Sequence, residues 1–226
     1  MASTNQMAEI SALLGEPARA AMLGALMDGR ALTAGELAAA SGVTPQTASA
    51  HLARLTGAGL LAAEKQGRHR YFRLASPLVG HMLEGVMAVA GPDPARPTTW
   101  RGGEALRTAR TCYDHLAGRL AVALTDALTE RGHVALGPDG GEVTEEGQRF
   151  LDGFGAAPVP GRRVYCRPCL DWSERRPHLA GSVGAALACR CFDLGWLARR
   201  RDTRAVAITD AGRAGFRATF GIALDT

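Results

Sequence analysis

The sequence predicts a mainly α-helical chain with small β-wings, and three stretches carry that expectation. "ELAAASGVTPQTASAHLARL" (36–55) sets apolar residues at helical spacing on both sides of a glycine turn. "AGLLAAEKQGRHRYFRL" (58–74) reads as strand, tight basic turn and strand. The word HLAG occurs at 115–118 and again at 178–181, with further matches beyond it.

The elements follow in order. Thr33 can cap a short helix, and Glu36 three residues on completes a capping box. Leu37, Ala38 and Ala40 share one face of that helix, and the "SGV" at 41–43 ends it. Thr44 is a second N-cap, with Pro45 at the first helical position, where its missing N–H costs nothing. Ala48, Leu52 and Leu55 then point inward, which leaves Gln46, Thr47, Ser49, Ala50 and His51 near the helix start or on its outer surface. Leu60 and Leu61 open the first strand, Gly67 sits in the turn, and Tyr71, Phe72 and Leu74 belong to the second strand. Arg68, His69 and Arg70 fall at the tip. Two short helices about a glycine turn, the second with a polar outer face, and then a basic hairpin form a winged helix-turn-helix. The hairpin suits phosphate or minor-groove contact.

"SALLGEPARAAMLGAL", "ELAAASGVTPQTASAHLARLTGAGLLAAEKQGRHRYFRL" and the helix after them resemble the arsenic-repressor (ArsR) family of bacterial winged-helix regulators, over roughly residues 8–90. The resemblance implies a homodimer that represses by occupying operator DNA and leaves when an effector binds. Its dimer interface would use the first helix and the one after the wing, about 7–14 and 77–90. Family members often carry a basic residue where this chain has Ala50. Base contact therefore falls to Gln46, Thr47 and Ser49 beside the Thr44 cap, with His51 and Arg54 nearer the phosphates and Arg68, His69 and Arg70 on the wing. The arsenic-binding members carry a cysteine pair in the segment that here reads "ELAAASGV", without cysteine. Zinc-sensing members place aspartate and histidines on the dimerisation helix. Here that helix offers only His81 and Glu84, a pair that also reads as a solvated polar edge.

"AGPDPARPTTWRGGEAL" (90–106) is rich in proline and glycine and reads as a linker, which divides the chain into domains 1–90 and 104–226 around a connector at 91–103. A stripe from Leu106 through Ala109, Cys112/Tyr113, Leu116, Leu120 and Leu124 to Leu128 predicts one long helix, about Glu104 to Arg131, ended by Gly132. The HLAG words align at an offset of 63, which also pairs Leu124 with Leu187 and Gly132 with Gly195. At an offset of 65, "EVTEEG" (142–147) meets "AITDAG" (207–212). The turns between are 137–141 and 199–203. This order predicts a C-terminal pair of winged-helix-like repeats, about 105–151 and 168–220, with a crevice between them that can hold a ligand.

Five cysteines, an odd number, with no basic or apolar leader at the start, predict a cytoplasmic protein with reduced thiols and no membrane segment. Four thiols at Cys166, Cys169, Cys189 and Cys191 could suggest zinc, but Cys189 and Cys191 fall two apart on a predicted helix and point about 200° apart. They read as core residues, and no metal and no cofactor are expected. Pro168 can start a short helix with Cys169 in its first turn, where nearby Arg162, Arg163 and Arg167 favour thiolate. Cys112 could approach Cys169 if the repeats pack together. An effector site is thus expected among Cys112, Tyr113, His115, Cys166, Cys169 and Trp172, either as a thiol or thiophilic sensor or as an aromatic pocket for a small organic molecule that also draws on Trp196 and His178. Buried packing is the competing reading of all five cysteines. The basic turn Arg199, Arg200, Arg201 and Arg204 reads as a solvated face or as a second wing on phosphate.

At 226 residues and 46% hydrophobic, the chain can bury a real core. The net charge of +4 is a mild pointer to an anionic partner, and the basic excess sits in the last third, with 12 basic and 7 acidic residues over 152–226. No nucleophile elbow, phosphate loop, HExxH or dinucleotide fingerprint is present, so no enzyme is expected.

Overall fold

In the computed structural model, which describes residues 3–67, 69–90, 103–137, 140–158, 161, 163–201 and 203–223, the helices around Gly42 form as their capping residues dictate. Helix α1 (Thr4–Leu14) starts at a Ser3/Gln6 capping box, and α2 (Pro17–Ala25) starts at Glu16, whose carboxylate accepts the Ala18 and Arg19 N–H groups. Strand β1 (Leu32–Thr33) leads into α3 (Ala34–Ser41), where Thr33 and Glu36 make the reciprocal capping bonds. Gly42 closes α3 at φ 69°, a left-handed conformation that glycine takes without penalty. Thr44 then caps α4 (Pro45–Gly57). Strands β2 (Leu61–Gln66) and β3 (His69–Leu74) form the hairpin, and β1 adds to β3 as a third strand. That strand, only two residues long, has no period for a sequence pattern to show. Met22, Leu23, Leu26, Leu37, Ala48, Leu52, Leu55 and Phe72 are buried and fill this core. Helix α5 (Pro77–Ala90) follows.

The chain divides into two compact units, the first running to Leu83 and the second starting at Glu84, inside α5. The linker at 91–102, Arg68, Arg162, 138–139 of the first turn and 202 of the second lie outside the described residues.

The second unit departs from the long helix that the apolar stripe predicts. A short α6 (Gly103–Thr108) is followed by a hairpin of β4 (Arg110–Cys112) and β5 (His115–Ala117), and only then by α7 (Arg119–Glu130). Buried residues at 109, 112, 116 and 117 satisfy a hairpin enclosed on both faces as well as a helix. The break is enforced at Gly118. Its φ is 86°, and a Cβ there would lie 2.5 Å from the Arg107 carbonyl oxygen. After Gly132 come β6 (Val134–Gly137), β7 (Gly140–Val143) and α8 (Glu145–Phe154).

The same order then recurs. Strands β8 (Arg167–Leu170) and β9 (Pro177–Ala180) form a hairpin, followed by α9 (Gly181–Asp193), the hairpin β10 (Leu197–Arg199) with β11 (Val206–Ile208), and α10 (Asp210–Phe220). Residues 167–170 are therefore a strand, and the short helix expected at Pro168 does not form: Pro168 pairs across the ladder with Leu179. Each HLAG word is the second strand of a hairpin turning into a helix, and Gly181 repeats the feature of Gly118 with φ 83° and a backbone oxygen 2.7 Å from a would-be Cβ. The capping threonines match in detail. Thr144 and Thr209 each donate to a glycine carbonyl, Gly132 and Gly195, at 2.8 Å and accept from Gly147 and Gly212. Leu120, Leu124, Leu128, Leu151, Val183, Leu187, Cys191, Phe216 and Phe220 form the core of this unit.

Candidate functional site

The first candidate surface is the start of α4 with the wing. Gln46, Thr47, Ser49 and Arg54 are exposed, as are Thr44, His69 and Arg70. The Thr44 and Thr47 hydroxyls share a hydrogen bond of 2.9 Å, and Ser49 donates to the Pro45 carbonyl. Arg70 lies over the Phe72 ring at 5.3 Å, so the buried ring steadies a basic side chain on the wing. His51 is placed differently from the sequence expectation. Its Nδ1 is 3.5 Å from the Arg19 guanidinium and its Nε2 3.7 Å from Glu16, so it is turned toward α2 and half-buried rather than presented to a phosphate.

The second candidate lies inside the second unit. In the β4–β5 hairpin Cys112 is directly opposite His115, and in the β8–β9 hairpin Cys169 is directly opposite His178. Directly opposed residues project to the same face of a ladder. Strands β5 and β9 are in contact, and the two imidazole rings lie 5.2 Å apart. As a result the ligand atoms of Cys112, His115, Cys169 and His178 all fall within 4.8 Å of one another, and all four residues are buried. Spacing in the sequence groups Cys166, Cys169, Cys189 and Cys191 and predicts no metal; the fold gathers a different set.

Charged groups surround the cluster. Asp114 Oδ1 is 3.3 Å from His115 Nδ1, and Asp171 Oδ2 is 3.2 Å from His178 Nδ1. Nε2 of both rings is buried, and that of His115 has no hydrogen-bond partner. Asp171 also accepts from Arg110 (3.0 Å), the Gly118 N–H (2.7 Å) and the Ser173 hydroxyl (2.7 Å). Burial alone would raise its carboxyl, but His178, Arg110 and these N–H and O–H donors hold it far below the usual carboxylate range. Burial opposes charge on His178, yet Asp171 and the Cys112 thiol raise its pKa. The Cys112 thiol likewise lowers that of Cys169 against the effect of burial. Cys112 donates to Glu84 Oε2 at 2.9 Å, and Arg204 donates to the other oxygen of Glu84. Tyr113, in the two-residue turn between Cys112 and His115, is held at φ 61°, a strained conformation for a non-glycine residue, with its side chain 63% exposed.

The other expected site residues separate from this cluster. Cys166 belongs to the main core, where burial pushes its thiol up to about 11, and Cys191 is pushed up to about 12. Neither has the lowered pKa of an activated thiol. Cys189 is exposed rather than core. Trp172 lies under the Arg110 guanidinium at 4.6 Å, while Trp196 packs against Phe154 and Phe216. Arg199 covers Phe192, and Arg204 is drawn to Glu84 and the Thr111 carbonyl rather than left in a solvated turn. Sequence reasoning missed Glu84, Arg110, Asp114 and Asp171 as members of one network. The available signal was a cysteine placed before each HLAG histidine.

Known proteins bear on the first of these two candidates. The family described as "Helix-turn-helix domain" matches residues 14–63. The uncharacterised HTH-type transcriptional regulator YdfF of Bacillus subtilis is 41% identical over 213 residues, covering 92% of this chain and 94% of that protein. The HTH-type transcriptional regulator CmtR of Mycobacterium tuberculosis is 34% identical over 104 residues, 44% of this chain and 87% of CmtR. The NMR structure of the homodimeric winged helix-turn-helix domain of Mb0332 from Mycobacterium bovis is 31% identical, with a TM-score of 0.36, and covers 38% of this chain and 79% of that one. With near-complete coverage of a regulator at this identity, and a winged helix-turn-helix built as its capping residues require, the chain belongs to the HTH-type transcriptional regulators.

Proposed function

We propose that the protein is a cytoplasmic homodimeric repressor that occupies operator DNA and leaves it when residues 104–226 sense an effector or thiol oxidation. The reading of DNA rests on Gln46, Thr47, Ser49 and Arg54 at the exposed start of α4 and on His69 and Arg70 of the wing, with Arg68 assigned to the same role from its sequence position. Dimerisation through α1 and α5 is supported by their apolar surface: α1 buries no residue, and Met7, Leu78, Val86 and Val89 are exposed. Residues 105–151 and 168–220 read as two winged-helix-like copies, supported by the recurring element order and by the matched threonine caps.

The observation that carries the sensing role is the pairing of Cys112 with Cys169. The two thiols share one buried apolar cluster with Ala117 and Ala180, and Cys112 is hydrogen-bonded to Glu84 of α5, the helix that follows the wing. Oxidation by a peroxide would join the two sulfurs. Each thiol gives up one proton and one electron, the O–O bond breaks, and hydrogen peroxide leaves as two waters. The Cys112–Glu84 hydrogen bond is lost in the process.

The test is fluorescence anisotropy on the duplex upstream of the protein's own gene, with reduced protein and then with the same sample after mild oxidation. Specific binding that collapses reversibly upholds the reading. Specific binding indifferent to oxidation counts against the thiols and shifts the search to small molecules near Tyr113 and Trp172.

A further inference from the structure

We infer that Cys112, His115, Cys169 and His178 form a binding site for one thiophilic divalent metal ion of the zinc type. The site stands on its own geometry; its role as the effector rests on the repressor reading above.

Three observations carry it. First, the donor set is two thiols and two imidazoles, the ligand chemistry of a closed tetrahedral zinc site. Zinc–sulfur bonds of about 2.3 Å and zinc–nitrogen bonds of about 2.0–2.1 Å require ligand atoms roughly 3.3–3.8 Å apart at tetrahedral angles. The four atoms lie within 4.8 Å of one another, so closing on an ion takes side-chain shifts of about 1 Å or slightly more and leaves the strands in place. Second, both histidines have a carboxylate within 3.3 Å of Nδ1 and a buried Nε2; that of His115 has no hydrogen-bond partner, and the Cys112 thiol lies against His178. A carboxylate on one ring nitrogen fixes the tautomer and aims the other at an ion. A buried ring nitrogen left without a partner beside two thiols and a second imidazole is not expected of a core histidine, because a buried polar atom without a partner is costly. Third, Asp171 is anchored by Arg110, the Gly118 N–H and Ser173 independently of any ion, so the shell that orients His178 is already built.

The charges balance. A divalent ion displaces one proton from each thiol, and two thiolates with two neutral imidazoles leave the buried site neutral. The Cys112 proton, now directed at Glu84 Oε2, leaves with the other to solvent. Cys166 and Cys191 take no part.

The test uses the full chain, reduced and stripped with a chelator, and titrated with Co²⁺ and then Zn²⁺ alone. The expected result is one Co²⁺ per chain, with the intense visible bands of tetrahedral cobalt and thiolate-to-cobalt charge transfer, displaced by one Zn²⁺. Cys169→Ala and His178→Asn should abolish the tetrahedral spectrum. Asp114→Asn should weaken the affinity by about 10–100-fold, and Cys166→Ala should leave the stoichiometry at one. Absence of tetrahedral bands in the wild-type chain, or full affinity in both ligand variants, overturns the site. Should a variant fail to fold, the metal content of the wild-type chain decides: the reduced chain must retain one Zn²⁺ through dialysis and unfold at a higher temperature with Zn²⁺ than without it, and no retained ion with an unchanged unfolding temperature overturns the proposal. Operator anisotropy on the same samples separates the two readings. One bound ion with unchanged operator affinity upholds the site and overturns its role as effector. No bound ion, with an intact oxidative response, overturns the site and upholds the thiol sensor.

Discussion

Cys169 stands directly across the β8–β9 ladder from His178, so a sulfur and an imidazole share one face of a hairpin only four residues deep on each strand. The arrangement is held from behind by Asp171. Its carboxylate joins Arg110, the N–H of Gly118 that caps α7 and the Ser173 hydroxyl, with no exposed surface of its own. Asp171→Asn leaves the buried Arg110 charge without its nearest anion. Breaking a buried pair in this way costs about 3–5 kcal/mol, and urea denaturation of the full chain should show a loss of that size in the second unit's transition. A loss under about 1 kcal/mol would mean that solvent reaches the pair.

Two glycines and a third should respond with opposite signs. Gly118→Ala and Gly181→Ala each force a side chain into a left-handed backbone against a carbonyl oxygen, and each should destabilise by about 1–3 kcal/mol. Gly35, inside α3 with open space around its would-be Cβ, should instead gain about 0.4–1 kcal/mol on conversion to alanine. Thermal unfolding of the three single variants measures the contrast directly.

On the surface proposed to face DNA the residues should divide by kind of contact. Arg54→Ala should weaken binding to all duplexes and reduce the salt slope of log K by about one unit. Gln46→Ala should cost about 1–3 kcal/mol on the preferred sequence and little on unrelated DNA. His51→Ala should act differently: because His51 sits against Glu16 and Arg19, it should lower stability with little change in the salt slope. Anisotropy titrations at several salt concentrations, run beside unfolding curves, separate these outcomes.

Thiol reactivity should rank by burial. With its thiol pushed up to about 11, Cys166 has about one molecule in a thousand as thiolate at pH 8, and Cys191, at about 12, has fewer still. Exposed Cys189 should be alkylated first at that pH. Cys166 and Cys191 should label only in denaturant or as the pH approaches their raised values. Peptide mapping after timed alkylation checks the order, and Cys166 labelled as fast as Cys189 would contradict its burial.

The matched caps give a further check. Thr144→Ala and Thr209→Ala remove the same pair of hydrogen bonds from α8 and α10, so each should cost about 1 kcal/mol, and the two losses should agree within a few tenths. Unequal losses would show that the two caps, alike in geometry, sit in unlike surroundings.

The first ninety residues were legible because their signals are local. Thr33 with Glu36, Thr44 with Pro45, and Gly67 between two strands each state their own structure within a few positions. In the second half the decisive signals are not local. The run from Leu106 to Leu128 keeps a helical spacing because a buried hairpin and a buried helix ask for the same apolar residues, and only the positive φ of Gly118 separates them. The cysteine–histidine set was hidden by loop length. Two residues separate Cys112 from His115, whereas eight separate Cys169 from His178, so no constant offset aligns both pairs. His51 misled for a third reason: its partners Glu16 and Arg19 stand more than thirty positions away, on another helix.

Each hairpin carries half of the four-membered cluster, one sulfur and one ring nitrogen. Two separate peptides bearing these halves would have to meet by diffusion, and their assembly would weaken with every dilution. Tethered in one polypeptide, the halves face each other at a fixed effective concentration. The cluster is therefore as complete in a cell holding a few copies of the protein as in one holding thousands.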